Sequence, residues 1–227
     1  MYYSGVFIHE KQSESVVVVV EKVLRNARKE YHVKDIRTFS WEKDSKDLIQ
    51  NLQALYDDPQ FLRKKKVFSQ SKRPPKNTYT PPLLIVSVKE GGDQLINRLR
   101  DNQIPVDAVF FDEAQGWTRE DQKILRFGTN YHLHPSEMQK LRRVLLSPNV
   151  ILDQADSQHR ILQREMDLCL AMEANSFDWS VMFEKGSGKI TPTYVWPHVF
   201  QDESFHLFPA LSLVLWHCET IRQIKRY

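Results

Sequence analysis

The run Val106-Asp107-Ala108-Val109-Phe110-Phe111, closed by Asp112-Glu113, constrains this chain more than any other stretch. Its apolar part, Ala108 to Phe111, is too short for a helix and predicts a buried strand of a parallel sheet. Acids at the C-terminal edge of such a strand stand where open α/β sheets place their ligand chemistry. There Asp112 is suited to hold the Mg²⁺ of a bound nucleotide, directly or through water. Glu113 beside it can polarise an attacking water, and Gln115 is placed to sense a terminal phosphate and report it to a nucleic-acid side.

The surrounding sequence alternates strand and helix signals. Gly5-Val6-Phe7-Ile8 reads as a short strand. The five valines Val16 to Val20 favour strand by propensity, yet Val16, Val20, Val23, Leu24 and Ala27 fall at helical spacing. With Ser13 or Ser15 as cap, the expectation is a helix over about 15–31. Asp35 to Trp41 reads as a strand, and Asp44 or Ser45 starts a helix through Leu48, Leu52 and Leu55. Leu83 to Val88 is a strong buried strand, followed by a short helix over 94–100 capped by Asp93. Further helices are expected from Gly116-Trp117-Thr118 to Arg126, over 137–146 and over 160–174. Asn149 to Leu152 is a strand ending in Asp153. Leu211 to Tyr227 reads as strand, then helix. The alternation predicts an α/β protein with a doubly wound parallel sheet flanked by helices.

Between these elements lies a basic, proline-broken loop near 63–82 containing Arg63, Lys64, Lys65, Lys66, Lys72 and Arg73. A solvated insertion, a phosphate-backbone contact to RNA or DNA and a nuclear-import signal all fit it. With a net charge of +3, the composition permits nucleic-acid binding without requiring it. Two cysteines, Cys169 and Cys218, cannot build a disulfide framework or a zinc knuckle and fit a reducing compartment, cytoplasmic or nuclear. No signal peptide is visible at Met1-Tyr2-Tyr3-Ser4-Gly5, and no apolar run approaches a membrane span.

An apolar run followed by D-E-A-Q resembles the Walker B box of superfamily 1 and 2 helicases and related NTPases. Together with Glu21 to Asn26, Val150-Ile151-Leu152-Asp153 with His159, and Leu213-Val214-Leu215 through Ile221, it resembles the helicase-like region of the Schlafen family. The resemblance covers most of the chain, with one strong match among weak ones. It implies a RecA-like domain over 1–160 and, over 161–227, the possible start of a second RecA-like lobe. It also implies ATP and Mg²⁺ as ligands if the domain is active. Asp112 would then hold the metal, Glu113 and Gln115 would be catalytic, and Asp153 would help couple nucleotide state to nucleic acid.

The departures from that pattern bear on activity. A P-loop needs glycines that let backbone N–H groups close around phosphate. The corresponding stretch, Gly5 to Ser13, keeps Lys11 for the phosphate and Ser13 for the metal but lacks the second glycine. It also carries Glu10. At an effective dielectric of about 20, a carboxylate about 4 Å from a phosphate charge costs roughly 4 kcal/mol. In the second-lobe segment, Trp216 and His217 stand where the family has arginine and asparagine. These departures imply weak or absent hydrolysis. A silent NTPase fold serving as an interaction or regulatory module is the alternative, as is a fragment of a larger helicase. The aromatic C-terminal segment (Trp179, Phe183, Tyr194, Trp196, Phe200, Phe205, Phe208) is then core, or surface for a protein partner or a missing lobe.

Gly186-Ser187-Gly188-Lys189 reads as a surface turn, because Pro192 and Pro197 forbid the helix a P-loop must feed. His132-Leu133-His134 lacks the further ligands of a zinc set.

Overall fold

Val16 to Val20 form a strand. All five valines are buried, as every residue of a continuous apolar run is in a strand with a core on each face. The expected helix over 15–31 is thereby replaced by two strands and the turn between them. Its helical spacing was coincidental: Leu24 is 72% exposed and Ala27 lies in the turn.

The computed structural model describes residues 1–9, 14–40, 46–65, 78–88, 93–111, 117–120, 127–133, 137, 149–153, 156–179, 205 and 207–221. The strands are β1 (Tyr2–His9), β2 (Glu14–Arg25), β3 (Arg28–Ser40), β4 (Arg63–Lys65), β5 (Thr78–Thr80), β6 (Leu83–Val88), β7 (Val106–Phe111), β8 (Trp117–Glu120), β9 (Asn130–Leu133) and β10 (Val150–Leu152). The helices are α1 (Lys46–Tyr56), α2 (Asp93–Asp101), α3 (Ser157–Trp179) and α4 (Phe208–Trp216), which runs on into a π-helical turn, His217–Ile221.

Eight strands form one mixed sheet in the order β10-β3-β2-β1-β6-β7-β9-β8. β1, β6, β7 and β9 are mutually parallel, and β10 runs parallel to β3. β1, β2 and β3 form an antiparallel meander, and β8 closes the far edge antiparallel to β9. β8 occupies part of the segment expected to be the helix from Gly116 to Arg126. The basic segment Arg63–Lys65 pairs with Thr78–Thr80 in a separate two-stranded ribbon.

Helices cover both faces of the sheet. On one, Leu48, Leu52 and Leu55 of α1 and Ile96 and Leu99 of α2 pack on Val6, Val17, Val19, Val86 and Ala108. On the other, α3 and α4 pack on Phe7, Val16, Val18, Val20, Ile85 and Val109. Every residue of α4 is buried, as expected of a helix that is apolar all round. The carboxylate of Glu165 on α3 takes over the N-terminus of α4, accepting from Leu207 N at 2.8 Å and Phe208 N at 2.7 Å.

The expected boundary at 160/161 falls inside α3, and α4 completes the core of the sheet that begins the chain. Leu213-Val214-Leu215, expected to lead as a strand into a second lobe, is helical. Its composition gives no β-turn signal before it and leaves no exposed face, so burial between sheet and α3 decides its state.

Candidate functional site

β7 is an interior strand between parallel β6 and β9, so its C-terminal end opens on the middle of a rim. The end of β1 lies on that same rim, with β6 alone between them. Asp112, Glu113 and Gln115 follow directly after β7, and Lys11 and Ser13 lie between β1 and β2; all five fall outside the described residues. So do Lys66, Lys72, Arg73, the Gly186 to Lys189 string and most of the helix expected over 137–146.

The frame around the P-loop-like stretch is described, and it does not fit a phosphate cradle. β1 passes into β2 as an antiparallel hairpin with His9 opposite Glu14. The next described element is β2 and not a helix, so among the described residues no helix N-terminus stands there to supply the aligned N–H groups and dipole that hold phosphate in a P-loop. Gly5 is not a turn residue either. It lies within β1, between Val18 of β2 and Ile85 of β6, and its missing side chain admits the backbone of α4: a Cβ there would stand 2.0 Å from the Ala210 carbonyl oxygen.

Asp153 lies at the other end of the sheet and, by the registers linking β10, β3, β2, β1, β6 and β7, level with the start of β7 rather than with its end. Five inter-strand steps separate β10 from β7, about 24 Å at about 4.8 Å per step. Its carboxylate is engaged by Lys34 Nζ and, at 3.0 Å, by His32 Nδ1. Burial raises its pKa, but the bonds and charges of Lys34 and His32 outweigh that and hold it below the usual carboxylate range. His159 has a local role: its N–H and its Nδ1 both meet Asp156 Oδ1, at 2.8 and 2.9 Å, at the start of α3.

Two described aromatic groups mark the rim at the end of β7. Phe110 and His132 face each other across β7 and β9 with ring centroids 4.9 Å apart and planes 13° from parallel. Among the described residues no group of three or more His, Cys, Asp or Glu is placed to hold a metal. No described helix is long and apolar enough to cross a membrane.

A buried polar system also occupies the opposite end of β7. His217 Nε2 lies 2.7 Å from Asp107 Oδ2, both residues under a tenth exposed, and Thr129 N donates to Asp107 Oδ1 at 3.0 Å. On the other face Arg100 donates to Val106 O, Phe127 O and Asn130 Oδ1. Asp107 was visible as a lone acid inside an apolar run. Its partner lies 110 residues away on an element read as part of another lobe, so no local signal joins them. Around the π-helical turn, Glu219 gathers Lys29 Nζ at 2.7 Å, the Tyr31 hydroxyl and Lys22 Nζ at 4.0 Å.

In comparisons with known proteins, no family model, no curated protein and no solved structure matches this chain.

Proposed function

We propose that the chain is a helicase-like, Schlafen-type NTPase domain, RecA-like in the parallel part of its sheet, that associates with nucleic acid and hydrolyses ATP weakly or not at all. The observation that carries the reading is the interior position of β7. β7 ends in the middle of a rim shared with the end of β1, and D-E-A-Q follows it in the sequence. In that setting Asp112 is the residue for Mg²⁺, and Glu113 and Gln115 stand where water and a terminal phosphate are handled. Asp153, five strands away and held by Lys34 and His32, takes no part at that end.

The hairpin after β1 favours the quieter form of this reading, a fold kept as an interaction or regulatory module. Titration calorimetry with ATP and Mg²⁺ tests it. The expected result is binding no tighter than millimolar and no measurable phosphate release. A dissociation constant at or below about 1 μM, a gain of at least about 4 kcal/mol over millimolar binding, lost in Asp112→Ala and Glu113→Gln, would establish a working nucleotide site instead.

A further inference from the structure

The hairpin of β2 and β3 outgrows the sheet that holds it. β1 pairs with β2 only as far as Glu21, and β10 meets β3 only from Tyr31. Met1 carries the edge one step further by exchanging backbone hydrogen bonds with Lys22, so Val23 to Arg25 and Arg28 to Glu30 continue as a two-stranded ribbon beyond the sheet, closed by Asn26 and Ala27. Three residues beyond that last rung carry the ribbon about 10 Å outward. Both turn residues have positive φ, 48° and 63°, the conformation of a tight two-residue hairpin that matches strand twist.

The charges on this ribbon are arranged at a cost. Arg25 and Arg28 stand directly opposite each other and so share one face; like charges in that relation repel. Both are exposed, and neither has an ion pair among the described residues. The nearby acids are committed elsewhere: Glu21 to Lys34, Glu30 to His32, and Glu219 to Lys22 and Lys29. Residues 22–31 hold four Lys or Arg and one Glu, a balance of +3. The root is fixed, since Lys22 Nζ donates to the Cys218 carbonyl at 2.9 Å and Tyr31 and Lys29 bond Glu219. The arm is thus held in place before any partner arrives, which lowers the ordering cost of binding.

We propose that this ribbon is a duplex-DNA contact, entering the major groove tip first with Arg25 and Arg28 against the phosphates that line it. The dimensions agree: the groove is about 12 Å wide and about 8.5 Å deep and admits a two-stranded ribbon, and the arm projects about 10 Å. The contact is separate from the β7 rim and independent of nucleotide binding there.

The test is fluorescence anisotropy of the full chain with a labelled 20-base-pair DNA duplex across a salt series. Arg25→Gln/Arg28→Gln is expected to flatten the slope of log K against log salt by about 1.8, from about 0.9 per phosphate contact. Arg25→Lys/Arg28→Lys, which keeps both charges, is expected to retain the wild-type slope, separating charge from any loss of fold. A duplex RNA of equal length is expected to bind more weakly, because its major groove is too narrow for side chains to read. An unchanged slope in the glutamine variant, no binding by the wild type at 50 mM salt, or equal response to single-stranded DNA or duplex RNA would each overturn the proposal.

Discussion

Replacing Gly5 with alanine separates the two roles a glycine can have at this position. In the structure the new methyl carbon would lie 2.0 Å from Ala210 O, 2.9 Å from Ala210 C and 2.9 Å from Val214 Cγ2, against 3.4 Å or more in ordinary contact. The nearest obstacles are backbone atoms of a fully buried helix, so no side chain can simply turn away. Relief requires α4 to move off β1 by more than about 1 Å, a gap that forfeits at least about a quarter to a half of each contact's dispersion well. Overpacking of this kind costs about 1–3 kcal/mol or somewhat more, and the stiffer unfolded chain returns about 0.4–1 kcal/mol. The expected net loss is about 2 kcal/mol. That corresponds to a fall in melting temperature of about 4–8 °C for a chain of this size. Urea denaturation followed by circular dichroism measures it, with a lower midpoint at unchanged slope as the expected signature. A midpoint equal to or above that of the wild type would refute the close approach of α4. Weakened nucleotide binding at full stability would instead return Gly5 to a phosphate-binding role.

Glu165→Ala should remove the acceptor for two buried N–H groups and cost about 2–4 kcal/mol by the same denaturation assay; Glu165→Gln, which keeps an acceptor oxygen, should retain most of that. Ala27→Gly should raise stability by about 0.5–1 kcal/mol, because alanine at φ 63° bears a steric cost that glycine does not. Stability should fall at both pH extremes through one cluster. Burial pushes the Glu219 carboxyl up, but Lys29, Tyr31 and Lys22 pull it further down, so its net folded pKa is depressed. Its contribution is complete above the unfolded value of about 4.3 and is lost as pH drops below that range toward the folded pKa. Tyr31 is shifted upward, first by burial and then by its bond to Glu219. Its contribution is complete below about pH 10 and declines as pH climbs above that, because the unfolded chain ionises first. Tyr31→Phe should lessen the alkaline decline without abolishing it, since Tyr56 and Lys34 are also shifted upward, which a denaturation series from pH 8 to 11.5 would show.

Much of the sheet was legible. Leu83–Val88, Val106–Phe111 and Val150–Leu152 announced themselves as short apolar runs, α1 by the spacing of Leu48, Leu52 and Leu55, and α2 by the Asp93 at its start. The valine segment misled because a buried central strand and a buried helix both present unbroken apolar stretches; only the neighbouring strands distinguish them. For the candidate site, the order of residues around Asp112 was readable, but its company was not. Whether Asp153 stands near or far depends on which edge of the sheet β10 joins, a long-range pairing that carries no local mark.

The chain's own residues determined that it would build a mixed α/β core with strands ending in acids, because burial and turn chemistry act over a few neighbours at a time. Which strands became partners, that the last buried helix completes the first strand's core, and that a charged hairpin was left projecting were decided by tertiary structure. Those outcomes depend on how distant apolar surfaces compete for the same two faces of one sheet.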